Sequence, residues 1–414
     1  MAGASVAIVH YTAPPVVGGV ELLVAVHAGL FADRGYPTSV VAGIGESFRS
    51  DIPVRIIPSL YTQTPKMAAI AAELDQGVVS DRFHEAVEDI YQELMAVLVG
   101  TDVALVHNAF TMHFNLPLTA ALHRMVDSGR GPHMVAWCHD LAWSNGLYAP
   151  RMRDEFPWSL LRKPLKGVEY VVVSRSRQAE MAQLTGLPEE KLRVVPAGVD
   201  PAVQLKLEPE TLDLTRRLGL LDGDLLMLAP VRIARRKNLE LSLRILRALK
   251  DQGVRARFVV TGPPGPLAAE SVDYMEALRR LRAELGLEGD ALFLFEHGPS
   301  PEEALHVTDR VMYDLYSLSD ILLFSSAQEG FGIPIIEAGL SRLPVFCTDI
   351  PPFREIGSCC INCFGLEEDP AEVAGRIRRW MEEDSGYKLR RRVLSNYTMD
   401  SVFKELIEPL AVER

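Results

Sequence analysis

The chain has 414 residues, more than one ordinary hydrophobic core holds, so two domains are expected. Apolar residues make up 48% and charged residues 24%, a balance that excludes a disordered or low-complexity chain. The formal net charge of -12 argues against binding of nucleic acid over a broad surface, so an anionic ligand would need a local basic site.

The amino-terminal sequence lacks the basic start and long apolar run of a secretory signal. The sequence contains no run of about 18 apolar residues, so we expect no membrane span. It also has no strong basic amphipathic helix, which argues against obligate membrane docking. An odd number of cysteines in a large chain favours a reducing cytoplasm. Cys359, Cys360 and Cys363 form a C-C-x-x-C cluster, but no fourth ligand lies at a usual zinc spacing. We therefore expect free thiols and no bound metal.

The first half of the chain predicts alternating strands and helices. A β-branched run, Val6–Val9, precedes a glycine-bearing loop, an amphipathic helix and a second apolar run, which together form a βαβ unit. One or two extra helices are expected between about Met67 and Val99. The further strands predicted here are residues 39–42, 54–57, 103–106, 134–137, 170–173 and 192–195.

The second half restarts the alternation after a polar, strand-poor segment, residues 200–224, where we place the interdomain linker. Helices are predicted over about residues 238–250 and after Leu267, and the tail beyond Ser385 is expected to be helical and basic. Strands alternating with helices indicate parallel sheets covered on both faces, whose ligands bind beyond the carboxyl ends of the strands. The strands predicted in this half are residues 225–231, 257–261, 292–295, 321–324 and 344–347.

Two loops of the first half carry candidate binding residues. Gly18 and Gly19 lie between the first strand and the first helix, where a backbone can approach a ligand and free N–H groups can face an anion. A plain tight turn fits them equally well, and the loop lacks the G-x-G-x-x-G fingerprint of a dehydrogenase. His139 follows the strand at 134–137; it could bond a sugar hydroxyl or be a satisfied, partly buried histidine. His107 and Asn108 end an earlier strand and admit the same two interpretations.

Two loops of the second half hold the charged candidates. Residues 232–237 carry four cations after a strand, and Arg232 with Lys237 could clamp a diphosphate, although a solvated charged loop is an equal alternative. Asn238 is expected to cap the next helix. Residues 329–334 precede another helix, and the carboxylates of Glu329 and Glu337 are good acceptors for paired sugar hydroxyls. Singly, each carboxylate could instead be an ordinary charge of a loop or of a first helical turn.

Together these loops resemble family 4 of the retaining glycosyltransferases, which have the GT-B fold, over nearly the whole chain. Residues 15–21 look like the family's glycine-rich opening loop, and Arg232-x4-Lys237-Asn238 looks like its phosphate clamp. Residues 329–337, Glu-Gly-Phe-Gly-Ile-Pro-Ile-Ile-Glu, resemble its two-glutamate motif, the most specific signal. Residues 196–200 resemble the family's P-N-G-V-D, with Ala197 in place of the asparagine.

The resemblance implies roles for these residues. Arg232 and Lys237 would bind the donor diphosphate, Glu337 the ribose hydroxyls, Glu329 the transferred sugar, and His139 the donor sugar from the other domain. Arg232, Lys237, Glu329 and His139 are thus the catalytic candidates, with no protein nucleophile and no metal. The candidate donor-binding residues are Gly18, Gly19, Arg232, Lys237, Glu329, Gly330, Phe331, Gly332, Ile333 and Glu337.

The resemblance also implies an architecture and an activity. The expected α/β fold is GT-B, two Rossmann-like domains with parallel sheets facing across a cleft. The acceptor domain would span residues 1–203 and the donor domain 204–386, with a helix at 387–414 packing back on the first. The expected reaction moves a hexose from a nucleoside-diphosphate sugar, UDP-glucose or next GDP-mannose, to an unidentified hydroxyl acceptor, with the oligomeric state open. A non-catalytic sugar-nucleotide sensor, an epimerase and a phosphorylase are the alternatives.

Overall fold

A computed structural model describes residues 3–264, 268–298, 300 and 303–412. The chain divides into two compact units. The first unit runs to Val199 and also contains the residues from Tyr397 onward, and the second unit is Asp200–Asn396. In the first unit, the backbone N–H of Val199 bonds Tyr397 O at 2.8 Å, and that of Met399 bonds Val199 O at 2.8 Å. A Cβ on Gly198 would lie 2.8 Å from the Met399 Cα, so the glycine makes this close return of the chain possible.

Thirteen strands are described, and each unit contributes one sheet. Most coincide with the predicted strands to within one or two residues, because buried parallel strands read as short apolar runs. The strands are β1 (Val6–Val9), β2 (Thr38–Ala42), β3 (Val54–Ile56), β4 (Val103–His107), β5 (His133–Cys138), β6 (Glu169–Val172), β7 (Leu192–Val194), β8 (Leu225–Ala229), β9 (Ala256–Val260), β10 (Ala291–Phe293), β11 (Ile321–Phe324), β12 (Val345–Thr348) and β13 (Asn362–Phe364).

Helices connect and cover the strands. Within the described residues they are α1 (Gly19–Asp33), α2 (Pro65–Asp75), α3 (Asp81–Val97), α4 (Leu116–Ser128), α5 (Arg175–Thr185), α6 (Pro201–Leu205), α7 (Pro209–Leu218), α8 (Leu239–Asp251), α9 (Ala268–Glu284), α10 (Asp309–Leu318), α11 (Ile333–Leu340), α12 (Pro351–Gly357), α13 (Pro370–Glu383), α14 (Ser385–Asn396), α15 (Met399–Val402) and α16 (Pro409–Val412). None of these helices combines the length with the apolar composition that a membrane crossing requires.

The first unit is a seven-stranded parallel sheet with the order β3-β2-β1-β4-β5-β6-β7. The strand order reverses between β1 and β4, so this doubly wound sheet has its switch point there. Apolar side chains are buried on both faces. Val9 and Ala104 belong to one core cluster, and Ile8 and Leu105 belong to the other. Phe403, which follows α15, is fully buried in the second of these clusters and packs on Phe31 of α1.

The second unit is a six-stranded parallel sheet with the order β10-β9-β8-β11-β12-β13 and its own core. Its switch point lies between β8 and β11, so the segments after these strands flank the expected ligand crevice. Two parallel, doubly wound sheets confirm the predicted α/β class with two Rossmann-like domains. The predicted linker segment at 200–224 carries two helices, α6 and α7. The predicted helix after Leu267 is α9, although Leu267 itself lies outside the described residues.

One strand was missed by the sequence analysis, and one of its expectations needs correction. The strand β13 was not predicted, because Asn-Cys-Phe at a sheet edge is too short and too polar to produce a strand pattern. Asn238 precedes α8 as expected, but its side chain makes no capping hydrogen bond. Its φ of 47° is in the left-handed region, which asparagine tolerates better than most residues. Asn238 therefore serves a backbone turn and not a cap.

The basic tail is largely structural. Arg391 of α14 binds the carboxylate of Asp320, whose side chain is fully buried just before β11, and Arg390 donates to Ser317 O at 3.0 Å. The sequence Asp-Gly-Asp at 222–224 precedes β8, and Asp224 pairs with Arg255 at 2.7 Å. The five cysteines are free thiols, as predicted.

Candidate functional site

The segments that follow β8 and β11 meet at the carboxyl edge of the second sheet. A 3₁₀ turn, Arg235–Lys237, follows β8. The hydroxyl of Ser325, which follows β11, lies 3.1 Å from Lys237 O and 2.9 Å from Asn238 O. The N–H of Ala327 donates to Arg236 O at 2.8 Å. These bonds hold the cation-bearing turn against the segment that contains the first glutamate.

The side chains of Lys237 and Glu329 form a direct ion pair in this crevice. Arg236 donates to the second carboxylate oxygen of Glu329 at 2.7 Å, and the hydroxyl of Ser326 donates to the first at 2.8 Å. The Lys237 and Glu329 side chains are each only 10% exposed. The ring of Phe324 lies 5.3 Å from Nζ of Lys237. The structure therefore joins two predicted site residues 92 positions apart in one buried, charged cluster.

Burial and pairing act in opposite directions on these two groups. Burial alone would raise the pKa of Glu329, but hydrogen bonds from Lys237 and Ser326 outweigh it, so this pKa lies below its ordinary value. Burial lowers the pKa of Lys237, although the bond to Glu329 partly offsets this effect. A buried cation and a buried carboxylate are stable here because each compensates the other.

Arg232 lies in the same segment, five residues before Lys237, and is exposed. Within the described part of the chain its guanidinium has no ion pair or side-chain hydrogen bond. Its backbone position depends on a glycine that sequence reasoning missed. A Cβ on Gly262, after β9, would lie 2.5 Å from Val231 O and 2.7 Å from the Arg232 Cα. The available signal was the Thr-Gly-Pro that follows the strand end.

The glycine-rich turn and the start of α11 follow Glu329. Gly332 has a φ of 124° and would place a Cβ 3.0 Å from the Phe353 ring, so both backbone and packing require glycine. A Cβ on Gly330 would meet open space. Phe331 and Ile333 are 52% and 61% exposed. At the start of α11, Pro334 has no N–H and the N–H of Ile335 bonds Gly332 O at 3.0 Å, so within the described residues the N–H groups left for an anion are those of Gly332 and Ile333.

Glu337, the second glutamate, lies on α11. Its carboxylate accepts a hydrogen bond of 2.5 Å from the hydroxyl of Tyr316 on α10. Sequence reasoning did not find Tyr316, since nothing in a pattern of single residues links positions on different helices. The bond engages one oxygen of Glu337, and the other oxygen has no hydrogen bond or ion pair among the described residues.

Several histidines lie close together near the carboxyl edge of the first sheet. His107, which ends β4, and His139, which follows β5, are joined by a bond of 2.9 Å between Nδ1 of His107 and Nε2 of His139. His10, which follows β1, lies 3.3 Å from His107 O through its Nδ1. His27 of α1 packs on Trp137 with ring centroids 4.9 Å apart. The structure therefore places the predicted His139 in a cluster of four histidines, two of which sequence reasoning missed.

Burial keeps three histidines of this cluster neutral. Desolvation lowers the pKa of His27 to about 3 and that of His139 to about 4, and it holds the pKa of His107 well below the usual range. Asn108, with a φ of 60°, accepts the backbone N–H of His139 at 3.0 Å through Oδ1. His139 is therefore a fixed, neutral hydrogen-bonding group.

The carboxylate of Glu21 holds the loop between β1 and α1 in place. Glu21 accepts a bond of 2.5 Å from the Thr12 hydroxyl and lies 3.7 Å from Nε2 of His10. A Cβ on Gly18 would lie 2.1 Å from the Glu21 carboxylate, whereas one on Gly19 would meet open space. Gly18 thus makes room for Glu21, and Gly19 leaves the start of α1 accessible.

The comparisons with known proteins agree with these observations. The family model described as Glycosyl transferases group 1 matches residues 213–398, and the one described as Glycosyltransferase Family 4 matches residues 17–203. The chain belongs to glycosyltransferase family 4, and the activity that these two models support is glycosyl transfer.

Two curated relatives are mannosylglucosylglycerate synthases. The protein of Petrotoga mobilis is 24% identical over 301 residues, which are 68% of this chain and 67% of the relative. The protein of Thermotoga maritima is 23% identical over 311 residues, which are 69% of this chain and 68% of the relative. The chain thus matches about two thirds of the length of each. A glycosyltransferase structure from Rickettsia africae ESF-5 aligns over 99% of both chains with 14% identity and a TM-score of 0.39.

Proposed function

We propose that the protein transfers a hexose from a nucleoside-diphosphate sugar to a hydroxyl acceptor, with retention at the anomeric carbon and without a bound metal ion. The observation that carries the proposal is the buried ion pair of Lys237 and Glu329 at the switch point of the second sheet, together with the exposed Arg236 that also bonds the Glu329 carboxylate. It supports the proposal because cations, a carboxylate and a helix start belong to the two segments that meet in one crevice.

The cations would stabilise the leaving group. The acceptor oxygen forms a bond to the anomeric carbon while the bond from that carbon to the phosphate oxygen breaks. The electron pair of the broken bond stays on the diphosphate, which takes the acceptor proton. Lys237 and Arg232 would face the developing negative charge together with the N–H groups at the start of α11. This arrangement does the work that a metal ion does in other sites.

The carboxylates would position the donor. Glu337, held by Tyr316 through one oxygen, would accept paired ribose hydroxyls through the other. When the diphosphate takes over the Lys237 ammonium, the Glu329 carboxylate becomes available to hydroxyls of the transferred sugar. His139 would bond the donor sugar through Nδ1, because its Nε2 is already engaged by His107.

The names of the relatives favour mannose as the transferred hexose. Both relatives described above carry "mannosyl" in their names, and so do the serotype-specific mannosyltransferase WbdA of Escherichia coli and the O-antigen chain mannosyltransferase RfbU of Salmonella typhimurium. We therefore place GDP-mannose beside UDP-glucose as the donor to test first.

The test is a panel of sugar nucleotides. A donor that binds only the folded protein should raise its melting temperature. At a donor concentration 100 times Kd, the free energy of unfolding should increase by about 2.7 kcal/mol. The same donor should be slowly hydrolysed or transferred in the presence of EDTA, with a product of unchanged anomeric configuration by NMR.

Each competing function gives a different result in this panel. Binding of a donor without transfer or hydrolysis would identify a sugar-nucleotide sensor. Epimerisation of the donor would identify an epimerase, and a requirement for free phosphate would identify a phosphorylase. Loss of turnover in EDTA would refute the metal-free mechanism.

A further inference from the structure

A cavity of about 180 Å³ lies inside the first unit, between α2, the start of α4 and the segment that follows β5. Its polar lining residues include Asp75, His113 and Arg151, and Trp158 forms part of its apolar wall. We propose that this cavity is the recognition subsite of the acceptor and that it takes a small polyhydroxylated anion. The proposal rests on the proposed transferase function, because it names the class of its second substrate.

The position of the cavity supports this role. The segments that line it follow the carboxyl ends of β3, β4 and β5, the edge at which doubly wound sheets bind ligands. Phe114, another lining residue, contacts the Tyr11 ring with centroids 6.1 Å apart. Tyr11 follows β1, so the cavity adjoins the switch point between β1 and β4. An acceptor held there lies next to the edge that carries His107 and His139.

The free charge in the cavity indicates an anion. Three arginines lie in the segment after β5, and two of them are engaged. Arg153 stacks on Trp158 and bonds Asp75 O at 3.2 Å, and Arg162 pairs with Asp154 at 2.6 Å. Arg151 makes no ion pair or side-chain hydrogen bond with any described residue, yet it lines the cavity. A planar guanidinium without a partner suits a carboxylate or phosphate.

The remaining polar groups indicate hydroxyls. The Asp75 carboxylate has no ion pair within the described ranges, and a carboxylate readily accepts paired hydroxyls. Nδ1 of His113 is buried without a hydrogen-bond partner in the described structure, and its ring contacts those of Phe114 and Tyr148. An unsatisfied buried polar atom costs stability that a ligand hydroxyl would restore.

The size of the cavity limits the ligand. Pockets for drug-sized molecules have volumes of about 300–1,000 Å³, so 180 Å³ suits a polyol of a few carbon atoms or the anionic end of a larger acceptor. The anion could be a carboxylate or a phosphate, and the experiment distinguishes these two sources.

The experiment measures acceptor binding to the full chain by calorimetry, without any donor. D-glycerate and glycerol 3-phosphate are the anionic probes, and glycerol is their neutral partner. We expect at least one anion to bind at least about ten times more tightly than glycerol. Arg151→Gln should weaken that anion about 10- to 100-fold, the usual range for a lost charged hydrogen bond, and Arg151→Lys should restore part of the affinity. Tighter binding of D-glycerate would indicate that the acceptor is a sugar acid. Tighter binding of glycerol 3-phosphate would indicate that the acceptor is a polyol phosphate.

The matched control is Arg162→Gln, which removes a cation of the same segment that pairs outside the cavity. It should leave the anion affinities unchanged. Equal binding of glycerol and both anions, or equal losses in Arg151→Gln and Arg162→Gln, overturns the proposal. Failure of the transferase function has a different signature, since it appears as absent binding or turnover of every sugar nucleotide and leaves the acceptor measurements unaffected.

Discussion

At the carboxyl ends of its strands the first unit carries imidazoles, whereas the second unit carries charged side chains. His107 and His139 meet through a neutral hydrogen bond in the first unit, and Lys237 and Glu329 meet through an ion pair in the second. Each pair joins residues at the carboxyl ends of two different strands, and both sheets are parallel and doubly wound. The same topology thus supports two different electrostatic environments.

The difference follows from how each group tolerates burial. An imidazole escapes the cost of burial by giving up its proton, which is why the pKa of His139 falls to about 4. Glu329 and Lys237 keep their charges because each compensates the other. A neutral edge suits hydrogen bonding to sugar hydroxyls, whereas a paired charged edge suits a ligand that brings its own negative charge.

The largest effect that we expect from this contrast is produced by removing the cations at the carboxyl edge of the second sheet. Lys237→Ala and Arg232→Ala should each lower turnover about 100- to 1,000-fold, the usual cost of losing one well-placed electrostatic group. Steady-state kinetics with the donor found in the sugar-nucleotide panel measures this effect.

The control for these variants is Arg235→Ala. Arg235 lies on the same 3₁₀ turn as Lys237, but its guanidinium stacks on Tyr274, 5.3 Å from the ring centroid. This variant should keep turnover within a few-fold of wild type. Near-normal turnover in folded Lys237→Ala and Arg232→Ala proteins would show that these cations do not hold the leaving group.

The second test concerns the neutral edge of the first unit. His27 has a pKa of about 3 in the folded protein against an ordinary value of 6.5. Below pH 6.5 the unfolded chain takes up a proton that the folded chain does not, so stability is complete above that pH and falls as the pH drops toward 3. Each such histidine contributes a slope of about 1.4 kcal/mol per pH unit within that window.

His27→Phe should therefore flatten the decrease in stability between pH 6 and pH 4, whatever the substitution costs in packing. Urea unfolding at a series of pH values measures the slope. His84→Phe, which replaces an exposed histidine of α3, is the matched control for the substitution itself. Parallel curves for wild type and His27→Phe would mean that His27 is protonated in the folded protein.

The smallest expected effect concerns the second glutamate. Tyr316→Phe removes the hydroxyl that fixes Glu337, at a cost of about 1 kcal/mol. The donor KM should rise about five-fold while kcat stays nearly constant, because the interaction positions the donor and does not stabilise charge in the transition state. Tyr313→Phe on the same helix is the control, since Tyr313 is 63% exposed. A drop in kcat at unchanged KM would contradict the positioning role.

Much of the fold was predictable because each buried parallel strand appears in the sequence as a short continuous run of apolar residues. The runs at Val6–Val9 and Ile321–Phe324 match their strands to the residue. The short polar strand β13 escaped prediction, since an edge strand of three residues has no period to detect. The role of Asn238 was misjudged because capping and left-handed backbone favour the same residue type.

The candidate site divides in the same way. Residue type and spacing named Lys237, Glu329 and Glu337, but not their partners. Tyr316 and Ser326 bond to the two glutamates from a helix and a loop, and neither stands out by type. His10 and His27 were missed because a buried histidine looks the same in sequence whether it lies alone or in a cluster.

Local hydrophobicity and backbone freedom are properties of the sequence, and they specified the alternation of strands and helices, the glycine positions and the residue types at the strand ends. Which of those groups are charged and which are neutral emerged only from the folded arrangement. Charge state depends on burial and on partners distant in sequence, and here Glu329 keeps its charge beside Lys237, whereas His107 is neutral beside His139.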